Sequence, residues 1–171
     1  MTALVIGGSG SGKSAFAEEQ VSRLPSGKRV YLATMRVFDE ESEERVRRHR
    51  AQRARLGFRT LEWPMDLLSA PVEPGSTVLL EDLTNLMANE RFRPDGGGLE
   101  RAIAGVLGLS ERCGRLICVT GDLCAGGRDY LGDTLGYLRD LARLNRAVAA
   151  KAEIVAEIVA GVPNLWKGEF L

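Results

Sequence analysis

A chain of 171 residues, 44% hydrophobic and 27% charged, has the size and make-up of one globular domain with a sizeable core. Lys plus Arg and Asp plus Glu both number 23, so the net charge is zero. With aromatic residues at only 6%, that balance argues against a nucleic-acid coat or a base-stacking surface. The longest apolar runs, such as Ala3–Ile6 and Leu116–Val119, are far too short to span a bilayer. No charged leader precedes the first apolar run, so a cytoplasmic protein is expected. Cys113, Cys118 and Cys124 are odd in number and form no CxxC pair, which reads as reduced thiols.

Taken in chain order, short β-rich runs alternate with longer helical ones. The first strand, Ala3–Ile6, leads into GGSGSGKS at 7–14, and a helix follows near 13–24. This fits G-x-x-x-x-G-K-[ST] in the context that the motif requires. Gly7, Gly8, Ser9, Gly10, Ser11 and Gly12 supply backbone N–H groups to wrap phosphate oxygens. Lys13 is placed to reach the β- and γ-phosphates, and the Ser14 hydroxyl to ligate Mg²⁺. The motif indicates nucleoside triphosphate binding and is silent on the reaction.

A second strand, Val30–Ala33, precedes a polar helical stretch at 39–54. Glu41/Arg45, Glu43/Arg47 and Glu44/Arg48 are i,i+4 pairs in the favourable order, as on a solvated helix. Within RVRRHRAQR at 45–53 stands His49, the only histidine of the chain. Arg45, His49 and Arg53 share a ridge at i, i+4 and i+8. Two flanking guanidiniums disfavour the imidazolium, and a neutral imidazole is a nucleophile. The residues alone leave two readings: a phosphate-handling histidine, or one more polar group on a charged helix.

Strands Arg59–Glu62 and Val78–Glu81 follow, then helices near 83–92 and 99–112 and a strand at Leu116–Thr120. Either Glu81 or Asp82 can support the metal from the end of its strand, the other serving as a helix cap. The last helix, near 133–152, puts Leu135, Leu138, Ala142, Asn145 and Ala149 on one face; Asn145 is either a buried amide satisfied by backbone or a contact behind a nucleotide site. A strand at Glu153–Ala160 closes the pattern. Uniformly apolar strands separated by helices predict an α/β domain over 1–171, its mostly parallel sheet covered on both faces.

The P-loop, R-x-x-x-H-R-x-x-R at 45–53, T-x-E at Thr60–Glu62, LLEDLTNLMAN at 79–89 and the closing 137–163 stretch occur in one order. Together they resemble the bifunctional adenosylcobinamide kinase/adenosylcobinamide-phosphate guanylyltransferase family of cobalamin biosynthesis. The resemblance implies a RecA-like P-loop NTPase fold and two transferase reactions. A nucleoside triphosphate, GTP or ATP, phosphorylates adenosylcobinamide. A histidine then takes GMP from GTP and passes it to adenosylcobinamide phosphate, giving adenosylcobinamide-GDP. Carried over, His49 is the guanylylated nucleophile. Residues Gly7 to Ser14, Ala33, Thr34 and Glu62 contact nucleotide, with Arg45, Arg50 and Arg53 as phosphate-binding cations. Glu81 is favoured over Asp82 as the strand-end carboxylate, with Ser14 and Glu81 holding Mg²⁺.

The family also implies a homo-oligomer, a trimer, with no nucleic-acid partner. The chain departs from the family pattern at Ala54, where proline is usual, and at Phe58, where tryptophan is common. At Gly121-Asp122-Leu123-Cys124 an Asn-Glu-Val-Gly run is favoured in the family. That last loop keeps alternatives open: a guanylyltransferase with a lost or altered kinase step, a small-metabolite P-loop kinase, or a nucleotide-binding regulatory module without transfer to His49.

Overall fold

A computed structural model describes residues 1–25, 27–35, 56–123 and 130–170. The expected helix at 39–54, with Arg45, His49, Arg50 and Arg53, lies outside the described residues, as does Cys124.

The strands are β1 (Thr2–Gly7), β2 (Arg29–Ala33), β3 (Phe58–Glu62), β4 (Thr77–Glu81), β5 (Arg115–Gly121), β6 (Ile154–Val159) and β7 (Val162–Lys167). They form one seven-stranded sheet in the order β3-β2-β4-β5-β1-β6-β7. All neighbours are parallel except the antiparallel pair β6–β7. The described helices are α1 (Lys13–Arg23), α2 (Leu83–Phe92), α3 (Gly98–Arg112) and α4 (Gly132–Lys151), with a short 3₁₀ turn at Leu67–Ser69.

The apolar character of the strands dictates the layers. Alternate residues of β1, β4 and β5 point to opposite faces, and both faces are covered. On one face Ala3, Val5, Leu79, Ile117 and Val119 meet Ala17 and Val21 of α1. On the other, Leu4, Leu80, Leu116 and Cys118 meet α2, α3 and α4. Each fully buried leucine contributes about 1.5–3 kcal/mol by leaving water. Cys118 is one of these core groups, and burial raises its thiol pKa, so it stays protonated. Cys113 and Cys118 are free thiols.

Two polar anchors set the lower edge and the flank of this core. Arg29 donates to the carbonyls of Leu24 (3.0 Å) and Ser22 (3.3 Å), closing the C-terminus of α1, and to Leu56 (2.9 Å), where the described chain resumes. The Glu90 side chain is wholly buried and accepts from the amides of Asp66 (2.8 Å) and Gly97 (2.9 Å) and from Arg101 Nε (2.8 Å). Three donors, one of them a guanidinium, are what let this carboxylate sit in a core.

The structure differs from the sequence reading in two places. The deepest residues of α4 are Leu138, Leu141, Leu144 and Val148, so its core stripe is turned to one side of the expected 135/138/142/145/149 face. Asn145 sits at the margin of that stripe, and its Oδ1 accepts from the Thr120 hydroxyl at 2.9 Å. The amide oxygen is therefore engaged by a side chain near the end of β5. The second difference is β7. Ala160 and Gly161 have φ of 50° and 81°, a two-residue turn of the I′ kind between the paired Val159 and Val162. Ala-Gly lacks the Asn or Asp that usually signals such a turn, and Pro163 speaks against a strand. An edge strand tolerates that proline.

Alanine in the left-handed region is strained, and glycine there is not. Ala160→Gly is expected to raise stability by about 0.5–1 kcal/mol, read as a higher urea midpoint with unchanged slope.

Candidate nucleotide site

The site grows from the end of β1. Gly7 ends the strand, α1 begins at Lys13, and the loop between them turns on Gly10 (φ 71°) and Gly12 (φ 91°). Ser11 N donates to Gly8 O at 3.2 Å and Phe16 N to Gly12 O at 2.9 Å, so the loop curls onto the first helical turn. A Cβ placed on Gly8 or Gly10 would meet nothing within 4 Å, so the hollow above the loop is open. Lys13 Nζ reaches back to Gly8 O at 3.2 Å. No acidic residue lies in the first turn of α1, which leaves its positive end unopposed. This is a cradle for phosphate.

The loop is braced from a part of the chain that the motif does not mention. Gly161 N, in the β6–β7 turn, donates to Ser11 O at 2.8 Å. A Cβ on Gly12 would lie 3.3 Å from Gly161 Cα, and one on Gly7 would lie 2.7 Å from Ile158 O. The loop glycines thus serve close backbone approach on one side and openness on the other.

Across the sheet, the Ser14 hydroxyl donates to Glu81 Oε1. An alcohol oxygen and a carboxylate meeting beside a phosphate loop are the hard oxygen donors that suit Mg²⁺. Asp82 is committed elsewhere. Its Oδ1 accepts from Asn85 N at 2.7 Å and Asn85 Nδ2 at 3.1 Å, capping α2. Burial pushes the Asp82 carboxyl above the usual carboxylate range, against the lowering pull of the Asn85 bonds and of Lys13. The geometry therefore separates two adjacent acids: Glu81 meets the serine of the phosphate loop, and Asp82 caps a helix.

Sheet register aligns the other candidates. Ala33 is opposite both Glu81 and Glu62, so the ends of β3, β2 and β4 lie level. Glu62 is exposed at the far side of this row. Thr34 is fully buried, and its hydroxyl donates to Asp82 O (2.7 Å) and accepts from Asp82 N (2.8 Å). Beyond β5, Asp122 N donates to Gly7 O at 3.0 Å and Gly121 N to Thr84 Oγ1 at 2.9 Å, while Tyr137 donates to Thr84 O at 3.0 Å. Gly7–Ser14 and Glu81 thus come together, Ala33, Thr34 and Glu62 line the neighbouring strand ends, and Arg45, His49, Arg50 and Arg53 lie outside the described residues. Sequence reasoning missed Thr84, Asn89 and Gly161. Thr84 and Asn89 fall inside the 79–89 stretch, and the Ala-Gly pair was the sole trace of Gly161.

A phosphate loop on β1, separated by β5 from an acid-tipped β4 within a mostly parallel sheet, defines a P-loop NTPase fold. The solved flagellar accessory protein FlaH from Methanocaldococcus jannaschii shares that fold, with a TM-score of 0.51 and 9% identity over 99% of this chain and 81% of its own. Residues 3–165 match the CobU family, cobinamide kinase / cobinamide phosphate guanyltransferase, and the chain belongs to it. It is 34% identical to the bifunctional adenosylcobalamin biosynthesis protein CobP of Pseudomonas aeruginosa over 99% of both chains. It is 31% identical to the bifunctional adenosylcobalamin biosynthesis protein CobU of Escherichia coli, over 95% of this chain and 97% of that one.

Gly12→Ala is expected to lose about 1–2 kcal/mol through its positive φ, with further loss from contact with Gly161. Gly8→Ala, which meets nothing, is expected to melt close to the parent. Thermal melts of the two variants without nucleotide check this.

Proposed function

We propose that this chain catalyses both reactions of its family. In the first, the γ-phosphoryl group of a nucleoside triphosphate passes to the aminopropanol hydroxyl of adenosylcobinamide, whose proton is lost as the new P–O bond forms. In the second, the imidazole of His49 attacks the α-phosphate of GTP, and pyrophosphate leaves. The phosphate of adenosylcobinamide phosphate then displaces the imidazole and takes the GMP, giving adenosylcobinamide-GDP. Splitting the transfer into two displacements is the usual gain of a covalent nucleophile.

The observation that carries the reading is the meeting of Ser14 with Glu81 beside an open phosphate loop, in a chain that matches the family over residues 3–165. In this reading the loop amides and Lys13 bind the triphosphate and orient it. Ser14 and Glu81 hold Mg²⁺, which when bound offsets charge building on the phosphate oxygens. Asp82 keeps α2, and with it the end of β4, in place. Glu62 and the end of β2 contact the nucleotide, and Arg45, Arg50 and Arg53 bind its phosphates.

The same reading makes the protein a homo-oligomer, in keeping with the exposed Val162, Leu165 and Trp166 on the edge strand β7. It works in the cytoplasm; no helix among the described residues is long and apolar enough to cross a membrane.

Intact-mass spectrometry after incubation with GTP and Mg²⁺ tests the second reaction. An acid-labile gain of one guanylyl group is expected, absent in His49→Ala. No adduct and no pyrophosphate release would remove the guanylyltransferase reading and leave a P-loop kinase or switch. Ser14→Ala is expected to lower the Mg²⁺-dependent rate of both reactions by about 10–100-fold, about 1.4–2.7 kcal/mol, in parallel assays of phosphorylated corrinoid and of adduct.

A further inference from the structure

Thr34 has every polar group engaged within the protein. Its amide donates to Glu81 O at 2.9 Å. Its hydroxyl clasps Asp82 from both sides, donating to the carbonyl at 2.7 Å and accepting from the amide at 2.8 Å. Its carbonyl accepts from Asn89 Nδ2 at 2.9 Å. The residue is 0% exposed. A side chain in that state has no surface to offer a nucleotide, and its one O–H donor is already used.

Asn89 completes the clasp. The same Nδ2 that holds Thr34 O also donates to Pro64 O at 2.9 Å. One amide group on α2 therefore spans the carbonyls just past the ends of β2 and β3. Both acceptors are carbonyls, so the nitrogen, and not the side-chain oxygen, must face them. Next to it, Glu90 holds Asp66 N at 2.8 Å, and Trp63 N donates to Ala33 O at 2.9 Å. The consequence is mechanical. Glu81, whose carboxylate meets Ser14, is fixed to the end of β2, and Glu62 is fixed to the same point through β3. In sequence, Thr34 stands between β2 and the stretch that includes His49.

We infer that Thr34 and Asn89 are positioning residues: they lock the ends of β2 and β3 to the cation-supporting end of β4 and set the geometry of the transfers without touching nucleotide. The inference rests on the proposed reactions for its readout. It replaces the resemblance's nucleotide-contacting role for Thr34 with one exerted through Asp82 and Glu81. In-line transfer tolerates little displacement: about 1 Å of misplacement costs about 100-fold in rate. In the proposed reading the loop amides and Lys13 make the main phosphate contacts, and this clasp does not include them.

The test separates affinity from rate. GTP affinity with Mg²⁺, guanylylation rate and melting temperature are measured for the parent, Thr34→Val, Thr34→Ser and Asn89→Asp. Valine keeps the shape and deletes the hydroxyl; serine restores it; aspartate puts a carboxylate against two carbonyls. The expected result is a rate at least about tenfold lower in Thr34→Val and Asn89→Asp, GTP affinity within about twofold of the parent, and recovery of most of the rate in Thr34→Ser. Affinity falling in step with rate would make Thr34 a nucleotide contact and overturn the inference. A lower melting temperature with unchanged rate and affinity would make the clasp structural only, and would also overturn it. A parent chain that forms no adduct would sink the functional reading instead. The same comparison of affinity with rate, made on phosphoryl transfer from GTP, would then decide the positioning role.

Discussion

The site depends on one constraint: β5 must lie between β1 and β4. Neighbouring strands are about 4.8 Å apart, so a single intervening strand opens a slot of about 10 Å between the phosphate loop and the acid-tipped strand. A second intervening strand would add about another 4.8 Å and put Glu81 beyond the reach of Ser14. The order β4-β5-β1 makes that contact between residues 67 apart in sequence. Parallel strands then bring the useful ends of β1, β2, β3 and β4 to the same edge, where ligands bind in open α/β sheets.

What holds this edge is backbone hydrogen bonding supplied by a few side chains. Asp82 caps α2, Thr34 grips Asp82, Asn89 spans two strand ends, and Thr84 takes the amide of Gly121. Each such bond is worth only about 1 kcal/mol net. Their common effect is larger than their sum in one respect. They leave the carbonyls and amides at the strand ends few alternative partners, so the groups that face the ligand are set before it arrives. Preorganisation of this kind is where a transferase gains most, because phosphoryl chemistry asks for placement and charge more than for covalent help from the protein.

Much of this was legible in the sequence, and the exceptions have physical reasons. Ala3–Ile6, Val78–Glu81 and Leu116–Thr120 could be read as strands because both faces of a covered parallel sheet demand apolar residues, and no competing period fits. Gly7–Ser14 was readable because each residue type has its own task in the loop. Glu81 and Asp82 were not separable by composition, since both are strand-end acids. The bond of Ser14 to Glu81 and the bonds of Asn85 to Asp82 distinguish them. The nucleotide contact expected of Thr34 came from the family resemblance alone; its burial, and its bonds to Asp82 and to Asn89 of α2, join residues far apart in the chain. β7 was hidden by Pro163 and by a turn that lacks the usual asparagine. His49 is the reverse case: its i, i+4, i+8 spacing with Arg45 and Arg53 is read from the sequence, and all three lie outside the described residues.

The β6–β7 turn has a consequence for how the protein comes into being. β1 is made long before its partners in the sheet, β5 and β6, and the amide of Thr2 is taken by Glu153, 151 residues later. Ser11 waits about as long for Gly161. The phosphate loop is thus synthesised well before the segment that braces it. Loop-closure entropy delays such distant pairings. Until translation has passed residue 161 the phosphate loop lacks this brace, and until β5 and β6 are made the apolar β1 lacks both partners that bury its edges.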